Sequence, residues 1–259
     1  MQCDYTVIPV STGKERHRFI TFPYAHYKSN KFWVPPLLSD QKILLNPDKH
    51  AFYQHADSAF FLALEKGKVV GRIAAVIDYN HIKVHDEQIG FFGFFESIKE
   101  FRVARLLLDA AAAWLKKKGM RAMRGPINPS QNEECGCLID NFDSSPMIMM
   151  TYNPPYYPQF YEQYGLKKAM DLYAYSIDGH KPPPNKLVRV AEAVRRREGL
   201  TVRPLNMKKY FDETEKIWHI YNNAWSKNWG FVPFTRAEFE HLAKNMKAIV
   251  EPELALIAE

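Results

Sequence analysis

Between Gly125 and Phe142 the chain reads GPINPSQNEECGCLIDNF, a stretch that sets two adjacent glutamates, three asparagines and two cysteines close together. Three kinds of chemistry suit such residues: a metal centre, a thiol nucleophile, or polar recognition of a substrate. Zinc fits poorly. Cys135 and Cys137 make one short pair, Cys3 is remote, and no Cys-x-x-Cys or paired histidines complete four ligands, so no metal is expected. A thiolate at Cys135 needs a depressed pKa, and the preceding Glu133 and Glu134 push it the other way; a buried inert thiol is the commoner outcome. Polar recognition remains, through Asn128, Asn132 and Glu133, on a loop running from Asn128 to Pro155; long ordered loops in compact domains tend to serve function. Its apolar tail PMIMMTY, Pro146–Tyr152, reads equally as the lining of an acyl or lipid pocket and as adaptable core filler. His81 and His85 (HIKVH), flanked by Asp78 and Asp86, have ligand-like spacing. They fall in a polar connection between strands, without a shared helical face, and are expected to be active-site polar residues or surface turn groups.

The elements that must hold these residues follow from local pattern. YTVIPV, Tyr5–Val10, predicts a short strand, and His17 to about Tyr53 predicts irregular helical material broken at Pro23, Pro35–Pro36 and Pro47. Ser58–Asp78 reads as two strands joined at Lys66-Gly67-Lys68, where Gly67 supplies the positive φ of a tight turn, and Gln88–Glu96 adds a third. Phe101–Lys118 is rich in Ala, Leu, Arg and Lys, carries its cations at the C-terminal end, and closes on Gly119, which predicts a helix. A strand over Met120–Ile127, a helix over Tyr156–Tyr164 ending at Gly165, and a strand over Leu172–Asp178 complete the order. The fold class is mixed α/β, of α+β type with a mixed sheet.

Composition narrows the partners. At 46% hydrophobic and 14% aromatic over 259 residues, the chain buries a sizeable core, and no apolar run approaches the length that spans a bilayer. MQCDYTVIPV lacks a signal-peptide pattern, so a cytoplasmic protein with reduced cysteines is expected. The net charge of +6 and the runs Lys116–Lys118 and Arg195–Arg197 favour an anionic partner only weakly. A phosphate-bearing cofactor or peripheral contact with a lipid surface fits that sign. Nucleic acid is not expected, since no basic stripe carries interleaved aromatics. Homo-oligomerisation is left open.

A break at HKPPP, His180–Pro184, precedes an amphipathic helix over Lys186–Arg197, and after it the pattern restarts. LTVRPLN (Leu200–Asn206) echoes YTVIPV, NWGFVPF (Asn228–Phe234) echoes KFWVPP (Lys31–Pro36), and LIAE (Leu256–Glu259) echoes LALE (Leu62–Glu65), at nearly one offset. The organisation expected is a module over 1–179, a proline-rich linker and connecting helix over 180–199, and a partial second module over 200–259 that looks truncated.

A meander ending in FFGFFES, a long helix, a strand and a short helix reading QFYEQYGLKK (Gln159–Lys168) together resemble the GNAT superfamily of acyl-CoA-dependent N-acyltransferases. In that family the short helix carries a pattern close to F-Y-E-x-x-G-F, matched here by Phe160, Tyr161, Glu162, Gly165 and Leu166. RGPIN (Arg124–Asn128), NEECG (Asn132–Gly136) and YNPPYY (Tyr152–Tyr157) look like a bacterial subgroup built from two such modules, some of whose members are thought to acylate long-chain amines. The resemblance implies a GNAT-like fold, acetyl-CoA or a longer acyl-CoA as co-substrate, and a small-molecule or lipid amine as acceptor. It implies Glu96 as catalytic base and Tyr161 as the acid near the CoA sulfur, with backbone N–H groups around Phe95–Ser97 facing the developing oxyanion. The family's pyrophosphate pattern falls on KEFRVA: Lys99 and Ala104 fit it, while Arg102 replaces the first glycine, so charge from Lys99, Arg102 or Arg105 would take over from a bare backbone cradle. His81, His85, Asn128, Asn132, Glu133, Tyr152 and Asn153 complete the expected substrate side. The competing reading is a non-catalytic GNAT-like module that binds a ligand or partner, and Arg102 is the feature that favours it.

Overall fold

The hairpin at Lys66-Gly67 forms as its turn residues dictate. Both have positive φ, 47° and 83°, the combination that matches the twist of two antiparallel strands. In this computed structural model, which describes residues 4–259, that hairpin is the middle of the first of two units, Met1–Met170 with Ser226–Pro233. Cys3 lies outside the described residues. Strands β1 (Tyr5–Pro9), β2 (Ala56–Glu65), β3 (Lys68–Asp78), β4 (Ile89–Ser97) and β5 (Ala122–Arg124) form one sheet in that order; the first four are antiparallel and β5 runs parallel to β4. Alternation along β3 sends Ile73, Ala75 and Ile77 to one face and Ala74 and Val76 to the other. The first face is covered by α4 (Phe101–Lys117), whose Ala104, Leu107, Leu108, Ala111 and Leu115 recur at helical spacing, and by α5 (Tyr157–Tyr164). The second is covered by α1 (Gly13–His26) together with Leu45 and Phe52.

Three local expectations are corrected. Pro23 does not break α1: the helix starts on a Thr12–Glu15 capping box and runs through Pro23, because Phe19, Ile20, Phe22 and Pro23 are all buried and that burial outweighs one missing N–H. The connection after β3 is a helix, α3 (Tyr79–His85), capped by Asp78 on the N–H of Asn80 and closed by Asp86 in the left-handed region. His81 and His85 therefore do share a face, with ring centroids 4.5 Å apart. Leu172–Asp178 alternates but forms no strand, and Tyr173, Tyr175 and Ile177 are exposed; alternation without a neighbouring strand to bond leaves the backbone irregular. The Asn128–Pro155 loop carries one small ladder, β6 (Ile127–Asn128) against β7 (Glu134–Cys135).

The second unit comprises Asp171–Trp225 and Phe234–Glu259. It contains α6 (Asn185–Glu198), β8 (Val202–Pro204), α7 (Tyr210–Ala224), α8 (Arg236–Met246) and β9 (Leu256–Ala258). β8 and β9 pair antiparallel, with Val202 opposite Ala258 just as Val7 stands opposite Ala63, each partner 195 positions further along. Two α-helices lie between the paired strands in both units, α1 and α2 (Leu38–Leu44) in the first and α7 and α8 in the second. Among the described residues, no helix is long and apolar enough to cross a membrane.

Candidate active site

The sheet opens at β4. Only Ile89, Gly90 and Phe91 pair with β5; beyond them the neighbouring chain turns through Gly125-Pro126 and crosses β4 at Gly93, so closely that a Cβ there would lie 1.7 Å from the Ile127 carbonyl oxygen. Phe94 next to it takes φ 48°, and the Asn128 side chain accepts its N–H at 2.5 Å, in place of the strand partner that has left. The ladder with β3 slips between Arg72 and Ala74 at the same level. The result is a strand whose C-terminal end, Phe95–Ser97, is bent and unpaired on the β5 side.

Glu96 sits at that end and is buried. Its Oε2 accepts hydrogen bonds from Tyr27 and Tyr157, each at 2.7 Å, and the Arg72 guanidinium stands 3.9 Å from Oε1. Burial raises the carboxyl above its ordinary value, while Arg72 and the two phenols pull it back. Arg72 donates to the Phe19 carbonyl at 2.9 Å and lies over the rings of Phe19 and Phe94, so the one cation in the apolar run of β3 is held by a carbonyl and two rings. Tyr157 also receives the Ser97 N–H at 2.8 Å, Tyr156 donates to the Ser97 carbonyl at 2.8 Å, and His26 Nε2 lies 3.3 Å from the Tyr157 hydroxyl. Desolvation, with Arg72 nearby, pulls His26 down to about 4. Tyr27, Tyr157, His26 and Arg72 were not picked out from the sequence. Arg72 had a signal, since a lone charge inside an apolar strand must be paired; Tyr27 and His26 had none.

Tyr161 is one helical turn beyond Tyr157, packed on Phe92 and Phe95, and no hydrogen bond among the described residues holds its hydroxyl. Burial pushes its pKa well above 10, so it stays protonated. At the start of α4, Glu100 is the N-cap and its carboxylate accepts the Arg102 N–H at 3.1 Å. Ala104 is buried beneath, whereas Lys99, over the Tyr156 ring, and Arg102 and Arg105 are exposed. Ser97 gives its N–H to Tyr157, which leaves Phe95 and Glu96 as the backbone near the opening.

The loop residues divide. Tyr152 approaches the cluster: its ring lies 6.1 Å from that of Tyr27, and its hydroxyl bonds Asn30. Asn128 holds the β4 bend, Asn153 clasps both backbone groups of Leu138, and Asn132 donates to the Val232 carbonyl, so these amides act on backbone. Glu133 lies 3.5 Å from His50. His81 is buried against Glu87, and His85 is 2.9 Å from the Phe231 carbonyl. Both belong to the end of β4 opposite Glu96, about 20 Å along the strand at its usual rise. Met147, Ile148, Met149 and Met150 are exposed and line no core.

Among the described residues no three His, Cys, Asp or Glu side chains gather as a metal site. Burial raises the Cys135 thiol and pushes Cys137 up to about 12, which leaves almost no thiolate near neutrality. Native protein at pH 8 is therefore expected to alkylate at Cys137 at least about tenfold more slowly, and at Cys135 more slowly, than unfolded chain, whose thiols titrate near 8.5, as read by peptide mass mapping. Equal rates would contradict the burial.

The profile of the acetyltransferase (GNAT) family matches residues 23–133. The "Bacterial ceramide synthase" of Caulobacter vibrioides (strain NA1000 / CB15N) is 36% identical over 259 residues, covering 99% of this chain and 67% of that protein. Protein YghO of Escherichia coli (strain K12) is 34% identical over 245 residues, covering 93% of this chain and 61% of its own length. The chain thus spans 67% and 61% of the lengths of these curated relatives. Among solved structures, AAC(6')-Iy in complex with the bisubstrate analogue CoA-S-monomethyl-acetylneamine is 15% identical, covering 68% of this chain and 99% of that one, with a TM-score of 0.41, too slight a likeness to build on.

Proposed function

The chain belongs to the acetyltransferase (GNAT) family, and on that premise we propose that it transfers an acyl group from an acyl-CoA to the amino group of a long-chain, lipid-type acceptor. The observation that carries the reading is Glu96, a carboxylate buried at the open end of β4, held by two phenols and raised by burial above its ordinary pKa. Glu96 takes a proton from the acceptor nitrogen as the C–N bond forms and the C–S bond breaks. Tyr161, kept protonated by burial and free of other hydrogen bonds, supplies a proton to the departing thiolate and takes one back from solvent before the next turnover, matching the proton that Glu96 releases. The Phe95 backbone N–H at the bend faces the developing oxyanion. Lys99, just before α4, and Arg102 and Arg105, in its first two turns, attract the pyrophosphate by side-chain charge, because the Glu100 carboxylate already takes the N–H of Arg102.

The lipid-type acceptor is supported by the relative named a ceramide synthase and by the exposed run Met147–Met150 leading to Tyr152, which would suit an alkyl chain or peripheral contact with a lipid surface. Tyr152 is the loop residue proposed to meet the acceptor. For the second unit we propose a partial repeat of the first, on the support of the shared strand register. The Glu100 cap favours the second reading, a non-catalytic binding module, in which the anion site of α4 stays closed.

Thermal-shift titration separates the two. Acetyl-CoA and palmitoyl-CoA are offered to wild type and to Arg102→Glu. The expected result is a rise in melting temperature with at least one acyl-CoA, lost in Arg102→Glu; no shift with either would rule out the transferase reading.

A further inference from the structure

A base as enclosed as Glu96 must release the proton it takes before it can act again, and its surroundings leave few exits. Its Oε2 is shared by two phenols and its Oε1 faces the Arg72 cation. Tyr27 offers no separate exit: its hydroxyl meets Glu96 and Tyr157, and its ring is stacked on Trp33 at 4.9 Å. Tyr156 bonds the Ser97 carbonyl rather than the carboxylate. Tyr157 is different, since its oxygen lies 2.7 Å from Glu96 Oε2 and 3.3 Å from His26 Nε2, and His26 is only half-buried at the last turn of α1. Its ring is fixed there by stacking on Phe22 at 5.4 Å and by an edge contact with Tyr27 at 4.8 Å.

We propose that Tyr157 and His26 form the route by which the proton taken up by Glu96 leaves the site. This rests on the acyltransferase reading. After acyl transfer the protonated Glu96 donates to the Tyr157 oxygen, while the Tyr157 hydroxyl proton moves to His26 Nε2. Glu96 is again a carboxylate, Tyr157 again a phenol, and His26 an imidazolium that passes its proton to water. The Ser97 N–H holds the Tyr157 oxygen in line throughout. The charged and titratable groups facing this path are Arg72 from β3, Tyr27 at the C-cap of α1, Tyr156 at the N-cap of α5 and Glu134 from β7. Arg72 and burial both disfavour a charged His26, so the imidazole carries the proton without storing it. His26 is thus a positioning and proton-carrying residue that acts through Tyr157, outside direct contact with the acceptor.

The test compares wild type, His26→Gln, His26→Ala and Tyr157→Phe on palmitoyl-CoA with sphinganine, and on acetyl-CoA with the same amine. Gln keeps an amide oxygen that can accept from Tyr157 but cannot relay a proton. The expected result is a fall in kcat of about tenfold or more for His26→Gln, with KM for acyl-CoA within about twofold and an altered pH profile. Added imidazole is expected to restore turnover in His26→Ala only while Tyr157 is present. His26→Gln at wild-type speed with an unchanged pH profile would overturn the relay and leave the acyltransferase intact. A folded wild-type chain that acylates nothing in these assays would overturn the function and the relay with it. If His26→Ala does not fold, the Gln variant decides.

Discussion

Glu96→Gln is expected to lower turnover by about 100- to 10,000-fold, the usual loss when a general base is removed, with acyl-CoA binding unchanged. Gln accepts hydrogen bonds from Tyr27 and Tyr157 as the carboxylate does, so the cluster keeps its shape while losing the proposed proton acceptor. The pH dependence has a definite sign. The folded pKa of Glu96 is raised, and in the proposed mechanism the active form is the carboxylate, so activity is expected to rise as pH climbs through that pKa. Stability runs the opposite way. A carboxyl with a raised folded pKa binds its proton more readily in the native state, so its favourable contribution is complete below the unfolded value and is lost as pH rises through the folded one. Melting temperatures taken from pH 8 to pH 5 should therefore show wild type gaining on Glu96→Gln toward acid. A kcat within about threefold of wild type would remove Glu96 from the base role.

Gly93→Ala has the largest expected effect on the fold of the site. The added Cβ would sit 1.7 Å from the Ile127 carbonyl oxygen and 2.9 Å from Asn128 Oδ1, distances that no side-chain rotation relieves because the first obstacle is backbone. Either β6 moves away, and the Asn128 bond to the Phe94 N–H breaks, or β4 straightens; both close the bend that presents Glu96. We expect a loss of more than about 3 kcal/mol in urea unfolding, beyond ordinary overpacking, together with loss of acyl transfer. Gly13→Ala serves as control, since nothing lies within 4 Å of its added carbon. If Gly93→Ala were as stable as that control, the crossing of β6 over β4 would be wrong.

What could be read from the sequence was what local pattern determines. The β2–β3 hairpin, β4, α4 and α5 each carry their own signal: a Lys-Gly turn with two positive φ values, an apolar run, helical spacing of Ala and Leu, and a glycine at the helix end. Glu96 could be placed at the end of β4 for the same reason. Its partners could not, because Tyr27, Arg72 and Tyr157 come from the C-cap of α1, β3 and α5, and only tertiary packing brings them to one carboxylate. The asparagines of the loop drew attention as substrate ligands, yet Asn128, Asn132 and Asn153 bond backbone. A long loop without regular structure must satisfy its own peptide groups, and amides are the side chains that do this. Pro23 misled for a related reason: one missing hydrogen bond is visible in a sequence, whereas the buried face that outweighs it is not.

The most direct measurement offers the chain palmitoyl-CoA and sphinganine and follows both products by mass spectrometry, with Glu96→Gln in parallel. The account predicts N-palmitoyl amide and free CoA appearing together in equal amounts with wild type, and a loss of both of at least about 100-fold with Glu96→Gln. Binding of acyl-CoA without amide formation, or equal amide formation by the two proteins, would contradict it.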